Sequence, residues 1–509
     1  MIPTEHHPPD CLSVRDGRLF IEECDTLDLA ERFGTPIFVF SEAQITENYR
    51  RFHDSFDQGW SHDPVDVMPA MKANTLLAVR QLLTNLGAGA DLYSPEELEG
   101  ALRTGVDPER TSANGGGKTR EHLRRCIEAG VRITVEDLHE IDWIQEEAAD
   151  LGVVAKIRLR VKPALPNLWR RTDFTQLWIP IDLGVQVYKS GIPPEYLVDL
   201  GKKAFAAPNV ELVGLHFHVG RHAAGLWFWE GMMVRFARLV GELCRAWDGW
   251  MPEEIDIGGG MASRRDPHNK EFSRGEFLLT AVGYPFLVGL RGLGERMYHT
   301  LVGKIVNALR EHPEPKGVPT IEQYAEAITR TLSRELTRQG VDLDGVRLQT
   351  EPGRCLYGDT AIHLSKVKVV KHQTEPFPYT WVLIDTTYFF LAGGVYEHNR
   401  HPFLVAAQAD APTTMLADIV GHSCYADQII LGAKMPEVEM GDLIAILEAG
   451  AYQESSASNF NALPRPATVL VRGDKAELIK QTETLDDIYG RDVIPKRLLP
   501  KATKRGSAR

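Results

Sequence analysis

Five short stretches carry residues whose types and spacing suit chemistry on a bound small molecule. Lys72, in PAMKANT, ends an apolar run. Partial burial there lowers a lysine's pKa and makes its amine a nucleophile toward a carbonyl, although an ordinary strand-end lysine is the plain alternative. DIGGGM offers the backbone N–H groups of Gly258, Gly259 and Gly260 without side chains, a shape suited to a phosphate, although triple glycine is also common in turns. In LHFHVGRH a period of two puts His216 and His218 on one face of a strand. They read either as a metal pair, which in a barrel suggests a hydrolase, or as one ring packed inside and the other turned to a ligand. EPGR, residues 351–354, sets the Glu351 carboxylate and the Arg354 guanidinium on one tight turn, suited to a protonated ring nitrogen and an anion, or to a surface ion pair. GHSCYADQ, residues 421–428, places Cys424 among small and polar neighbours, with a buried structural thiol as the alternative.

These residues need elements that bring them together. Short β-branched runs alternate with amphipathic helical patterns through the middle of the chain, the rhythm of a parallel sheet or barrel. The expected strands are 65–72, 87–94, 110–116, 132–135, 155–163, 212–220 and 254–260, with helical patterns such as SPEELEGALRTG and KTREHLRRCIEAG between several of them. Lys72, Ser94, His218, the three glycines, and Glu351 after VRLQT all fall at C-terminal strand ends, the face that carries the active site of a (β/α)8 barrel. Beyond about residue 360 strands follow one another without long helices, as in YTWVLIDTT, DLIAILEAGAY and ATVLVRG, which reads as a separate β domain.

Composition agrees with two domains: the chain has 509 residues, 43% of them apolar. A formal net charge of -13 argues against a nucleic-acid surface, and the one basic run, KRLLPKATKRGSAR, reads as a solvated tail. No stretch approaches the roughly 20 apolar residues of a membrane span, and MIPTEHHPPDC lacks a charged-then-apolar signal pattern. The expectation is a soluble, cytoplasmic protein. Six scattered cysteines (Cys11, Cys24, Cys126, Cys244, Cys355 and Cys424) fit reduced thiols better than a disulfide framework or a zinc site, and no metal is expected.

Lysine, histidine, triple glycine and EPGR, in that order, meet the needs of one cofactor, pyridoxal 5'-phosphate. The chain resembles the fold-type III pyridoxal-phosphate decarboxylases, the family of diaminopimelate decarboxylase and eukaryotic ornithine decarboxylase. The resemblance runs from LAERFGTPIFVF (29–40) through MKAN, GADLYSPEEL, LHFHVGRH, DIGGGM, EPGR and GHSCYAD to AGAYQESSASNFNALPRP (449–466). It implies an alanine-racemase-like (β/α)8 barrel over 45–360 with an insertion at about 262–318, and a C-terminal β-sandwich or β-barrel domain over 361–495. The N-terminal segment 1–44 would join that β domain, and 496–509 would form a tail. A head-to-tail homodimer with shared active sites and a small-molecule amino-acid substrate are also implied. Residue by residue, the resemblance makes Lys72 the internal-aldimine lysine and His218 the ring stacked on the pyridine, with Asp91 also at the cofactor. Gly258, Gly259, Gly260 and Tyr452 would hold the phosphate, Glu351 the pyridine nitrogen, and Arg354 the phosphate or the substrate carboxylate. Cys424 would come from the partner subunit as a proton donor near the substrate carbon.

The departures concern the substrate. Relatives usually carry an acid after this cysteine to bind the distal amine, and this chain has Tyr425. Ala392 stands where the diaminopimelate enzymes place the arginine of an Arg-Pro-x-Leu-Tyr segment, whose tyrosine Tyr396 matches. Losing both clamps costs several kcal/mol of discrimination, so the expected substrate is not meso-diaminopimelate. Asp385 matches an acid that contacts the distal amine in the ornithine enzymes, or else caps a turn. Arg221 replaces the serine after HVG, and Asp182 stands where a lysine pairs with the aspartate matched by Asp427. The expected reaction is amino-acid decarboxylation through the Lys72 aldimine and a quinonoid reprotonated with help from Cys424. Racemisation or epimerisation with the same cofactor is the alternative, and a non-catalytic homologue is disfavoured by the presence of Lys72, Cys424 and Tyr452. Residues 262–318, rich in helix formers, read as a lid or as added dimer surface.

Overall fold

The computed structural model describes residues 10–162, 169–171, 178–180, 189–218, 225–263, 292, 294–309, 318–391 and 401–499. Helices begin and end where side chains satisfy the free backbone groups. The Ser94 hydroxyl accepts from the Glu97 N–H at 3.2 Å and Pro95 opens helix Pro95–Arg103. Thr119 does the same for His122 at 3.2 Å, and helix Arg120–Ala129 stops where Gly130 turns left-handed at φ 74°.

At the N-terminus a ribbon of β1 (Leu12–Arg15), β2 (Arg18–Ile21) and β3 (Cys24–Asp25) precedes β4 (Ile37–Ser41). Eight strands then alternate with helices: β5 (Val65–Val67), β6 (Ala90–Leu92), β7 (Thr111–Ala113), β8 (Arg132–Val135) and β9 (Ala155–Arg160). After a small antiparallel pair, β10 (Trp169–Arg171) and β11 (Trp178–Pro180), come β12 (Val210–His216), β13 (Glu254–Asp256) and β14 (Arg347–Thr350). Their order is β5-β14-β13-β12-β9-β8-β7-β6, with every pairing parallel. A parallel bridge between Ala70 and Asp91 links the two ends of this sheet, so the eight strands form a (β/α)8 barrel.

Most barrel strands are shorter than the sequence suggests, ending at Val67 rather than 72 and at Asp256 rather than 260. Pro69 and Pro352 lack N–H groups and interrupt the ladder beyond β5 and β14, while Gly258 at φ 62° takes the chain out of the extended region after β13. The residues expected at strand ends therefore lie on turns that curl over the barrel mouth.

The barrel interior is charged. In β9, AKIRLR, Ile157 and Leu159 alternate with Arg158 and Arg160, and Arg158 is completely buried. Its guanidinium meets Asp256 Oδ2 at 2.6 Å and Glu254 Oε1 at 3.5 Å, and it also touches Gln349 Oε1 and Ser112 Oγ. Arg132 reaches Glu254 from β8 at 2.5 Å.

The remaining strands form a second sheet: β15 (Ala361–Gln373), β16 (Tyr379–Ile384), β17 (Phe403–Val405), β18 (Met415–Val420), β19 (Gln428–Met435), β20 (Leu443–Ile446), β21 (Ala467–Arg472) and β22 (Lys475–Lys480). The order is β19-β18-β16-β15-β4-β21-β22, with β20 pairing β15 and β17. Thus β4 lies between β15, antiparallel to it, and β21, parallel to it. Its period of two serves two cores: Phe38 and Phe40 join the large core that includes the barrel, while Ile37 and Val39 join a second core with Leu19, Leu29 and Val469. Most of 262–318 lies outside the described residues. Its helix Glu295–Leu309 approaches Phe377, whose Cβ would stand 2.8 Å from a β-carbon added at Gly303. Among the described residues no helix is long and apolar enough to cross a membrane.

Candidate active site

Lys72 stands on a one-turn helix, Met71–Ala73, just past β5, with about half of its side chain exposed at the barrel mouth. Its Nζ lies 2.9 Å from Asp91 Oδ2, and Asp91 is buried at the end of β6. Desolvation pulls the Lys72 ammonium down, but Asp91, Tyr452 and Glu351 together outweigh it and hold the group above its ordinary range. The expected lowering of this pKa is corrected: β6 supplies an acidic partner that the apolar run before Lys72 does not announce. Burial opposes the ionisation of Asp91, yet Lys72 and Asn114 hold its carboxyl below the usual range.

Asn114, just past β7, joins the two acids of the site. Its Nδ2 donates to Asp91 Oδ1 at 2.7 Å and to Glu351 Oε1 at 2.5 Å. The other Glu351 oxygen lies 3.2 Å from His216 Nε2, so a neutral imidazole protonated there donates to it. Burial first, then Asp91, pushes the Glu351 carboxyl up to about 7. Burial and Glu351 push Asp256 up to about 7, while burial pushes His216 down to about 3. Glu351 and Asp256 thus hold raised carboxyls at the buried centre of the mouth, which suits a ligand that brings a protonated nitrogen to Glu351.

Beside it the three glycines make a bare backbone cradle. Gly258 has φ 62° and Gly260 φ 101°, a region that L side chains rarely adopt. A β-carbon on Gly258 would stand 2.6 Å from the Phe217 carbonyl oxygen, and one on Gly259 would collide with that of Glu351. Gly259 N–H donates to His218 Nδ1 at 3.1 Å, and Gly258 N–H to Asp256 Oδ1 at 2.8 Å. His216 and His218 thus have different hydrogen-bond partners. Burial also depresses His218 well below the usual histidine range, which keeps its ring neutral.

The second domain completes this wall. Tyr452, at φ 64°, donates its N–H to Ala73 O at 2.8 Å, and Ser455 Oγ donates to Lys72 O at 3.0 Å. Buried Arg354 stands 5.1 Å from the Tyr452 ring centroid. An electropositive group, an aromatic hydroxyl and a glycine cradle beside Lys72 fit a phosphate-bearing carbonyl cofactor.

Cys424 lies on the loop between β18 and β19 and is exposed, which removes the buried-thiol alternative. Tyr425 is also exposed, and its ring faces Tyr388 at 6.4 Å with an interplanar angle of 11° and Phe389 at 5.6 Å. Asp385 accepts from Thr35 Oγ1 at 2.6 Å, Ser365 Oγ at 2.7 Å and Lys366 N–H at 2.8 Å. It ties the end of β16 to β15 and to Thr35. Asp427 is buried and accepts from Thr387 Oγ1, Tyr388 N–H and Ser423 N–H at 3.0, 2.6 and 2.8 Å. Its oxygens are bound by its own loop and by the turn after β16, which fits the absence of a lysine at Asp182. Asp182, Arg221, Ala392 and Tyr396 lie outside the described residues.

Sequence reasoning missed Asn114, Asp256 and Arg158. Asn114 and Asp256 sit at strand ends like the residues that were singled out, and Arg158 follows from the alternation of AKIRLR once both faces of β9 are known to be buried.

Comparisons with known proteins give the chain's family and its fold. A family model described as pyridoxal-dependent decarboxylase, pyridoxal binding domain, matches residues 42–281, and one described as its C-terminal sheet domain matches 187–450. The chain is 29% identical over 499 residues to diaminopimelate decarboxylase of Methanocaldococcus jannaschii, covering 96% of this chain and 98% of that protein. It is 30% identical over 471 residues to the enzyme of that name from Neisseria meningitidis serogroup A, covering 92% and 97%. The crystal structure of the M. jannaschii enzyme superposes with a TM-score of 0.79 at 28% identity, covering 96% of this chain and 99% of that one.

Proposed function

The chain belongs to the pyridoxal-dependent decarboxylases, and from that premise we propose that it decarboxylates an amino acid other than meso-diaminopimelate. The observation that carries the substrate reading is Tyr425, which stands in the place of a distal-amine acid and packs its ring against Tyr388 and Phe389. Asp385 and Asp427 each already accept from three donors, which leaves each about one lone-pair site for a distal ammonium. An aromatic wall with two hydroxyls favours a neutral side chain.

When bound, pyridoxal phosphate supplies the electron sink that accepts the pair left at Cα as CO2 departs. Lys72 would be the residue that holds the cofactor carbonyl, with Asp91 beside it to favour the ammonium when its amine is free. Glu351, steadied by Asn114 and His216, would hold the ring nitrogen and favour its protonated form. The neutral His218 ring would offer an aromatic face to the pyridine. The side-chain-free turn of Gly258, Gly259 and Gly260 would make room for the phosphate, Tyr452 would hold it, and Arg354 would hold it or the substrate carboxylate. Cys424, delivered by the partner subunit of a homodimer, donates the proton to Cα.

The test is mass spectrometry of an amino-acid panel, both enantiomers and meso-diaminopimelate included, incubated with protein and cofactor in deuterated water. The expected product is an amine lighter by CO2, bearing one deuterium at Cα, from an amino acid with a neutral side chain. Turnover of meso-diaminopimelate matching the best amino acid would overturn the substrate reading. An intact amino acid gaining deuterium at Cα would move the assignment to a racemase or epimerase. Tyr425→Glu is expected to raise relative turnover of diamino acids.

A further inference from the structure

One side-chain amide grips the exposed cysteine at two points. Asn461 Oδ1 accepts from the Cys424 main-chain N–H at 2.8 Å, and Asn461 Nδ2 lies 3.2 Å from Cys424 Sγ. The two residues are 37 positions apart, on different segments of the second domain. Asn461 is itself firmly placed. It sits at φ 60°, ψ 19°, inside the short turn Phe460–Ala462, and asparagine is one of the few residues besides glycine that adopt this region readily. The Phe460 ring stacks on Phe389 at 4.1 Å, and Asn459 Nδ2 donates to Leu463 O at 3.0 Å and to Glu483. Asp427 holds the Cys424 loop from its inner side.

The chemistry of this grip is directional. A thiol on an exposed loop swings its proton through a cone as its χ1 and S–H torsions rotate. An amide N–H directed at sulfur occupies a lone pair and selects one rotamer, leaving the S–H to point elsewhere.

We propose that Asn461 is a positioning residue that aims the Cys424 S–H at the reacting carbon of the partner's site. The inference rests on the reading of Cys424 as the proton donor. In the step concerned the S–H bond breaks and a Cα–H bond forms with the electron pair left by CO2; the thiolate then regains its proton from water. A sulfur set loose misplaces protonation onto the carbonyl-derived carbon of the cofactor. Hydrolysis by one water then yields an aldehyde and the cofactor as its amine.

The experiment compares full-length, cofactor-loaded wild type with Asn461→Gly, Asn461→Asp and Cys424→Ala, using the amino acid that the panel identifies. Glycine keeps the left-handed backbone while removing both hydrogen bonds. Aspartate keeps the acceptor for the Cys424 N–H while removing the donor to sulfur. Mass spectrometry reads the aldehyde-to-amine ratio and the aminated cofactor, and a crystal structure of Asn461→Gly reads the position of Sγ. Both Asn461 variants are expected to raise the ratio at least about tenfold with little change in KM, and Sγ in Asn461→Gly to occupy more than one rotamer. A raised ratio in Cys424→Ala with a wild-type ratio in Asn461→Gly overturns the positioning role alone. A wild-type ratio in Asn461→Asp reduces Asn461 to a loop anchor and overturns it too. A wild-type ratio in Cys424→Ala overturns the proton-donor reading itself.

Discussion

Two carboxylates share one amide at the barrel mouth, and burial together with the nearness of Asp91 makes Glu351 sensitive to pH before any ligand arrives. Glu351 is pushed up to about 7, whereas an unfolded glutamate titrates near about 4.3. Between those values the folded protein holds a proton that the unfolded chain has released, so stability falls as the pH rises through the interval. Asp256, also pushed up to about 7, acts in the same direction. The buried histidines His216, His218 and His363 act in the opposite direction, being neutral in the fold where the unfolded chain binds a proton. The share of Glu351 is therefore read as a difference: Glu351→Gln is expected to shift the pH slope of the cofactor-free protein's urea midpoint upward between about pH 5 and pH 7 relative to wild type. An unchanged slope in the variant would place the responsible proton elsewhere. At this scale the chemistry-bearing residues themselves were legible, because lysine, glycine and the EPGR acid announce their uses by type. Their partners were not. Asn114 is an unremarkable amide in RTSANGG, and only the pairing of β7 beside β6 gives it two acids to hold.

Elements decide which of those partners meet. The alternation of helix and strand was readable from periodicity and caps, and the helix starts at Ser94 and Thr119 follow from local chemistry alone. Strand ends were less legible, since the prolines and glycines that stop a ladder also occur within the expected runs. The charged filling of the barrel was hidden for a related reason: alternation in AKIRLR names two faces but not which is wet, and in a barrel neither is. Arg158 stands completely buried between Glu254 and Asp256 from β13. Replacing it with leucine strands buried carboxyls, so Arg158→Leu is expected to cost about 3–5 kcal/mol in chemical denaturation. Because Asp256 already sits near about 7, it gains a proton in response, and the loss should shrink as the pH is lowered. A loss that does not vary with pH would mean that packing, not charge, governs this position.

For the whole molecule, the two halves of the chain are woven together instead of joined in series. The strand β4 precedes the barrel in sequence yet lies inside the second sheet, and the turn at Tyr452 returns to the backbone of Ala73 beside Lys72. Periodicity alone separated a barrel from a β domain, and the pairing of β4 with β15 and β21 is a long-range contact that no local pattern announces. The same weave leaves Cys424 on an outward loop with Tyr425 beside it, each exposed in the single chain. If the partner completes the site, lesions in Lys72 and Cys424 fall in different catalytic centres when the subunits are mixed. A heterodimer of Lys72→Ala and Cys424→Ala chains then holds one centre with both lesions and one with neither. Random pairing makes half of the dimers mixed, so combining the two weak or inactive proteins is expected to restore about one quarter of wild-type activity. Equal mixtures that recover nothing, while remaining dimeric by light scattering, would assign Cys424 to the centre of its own chain or to none.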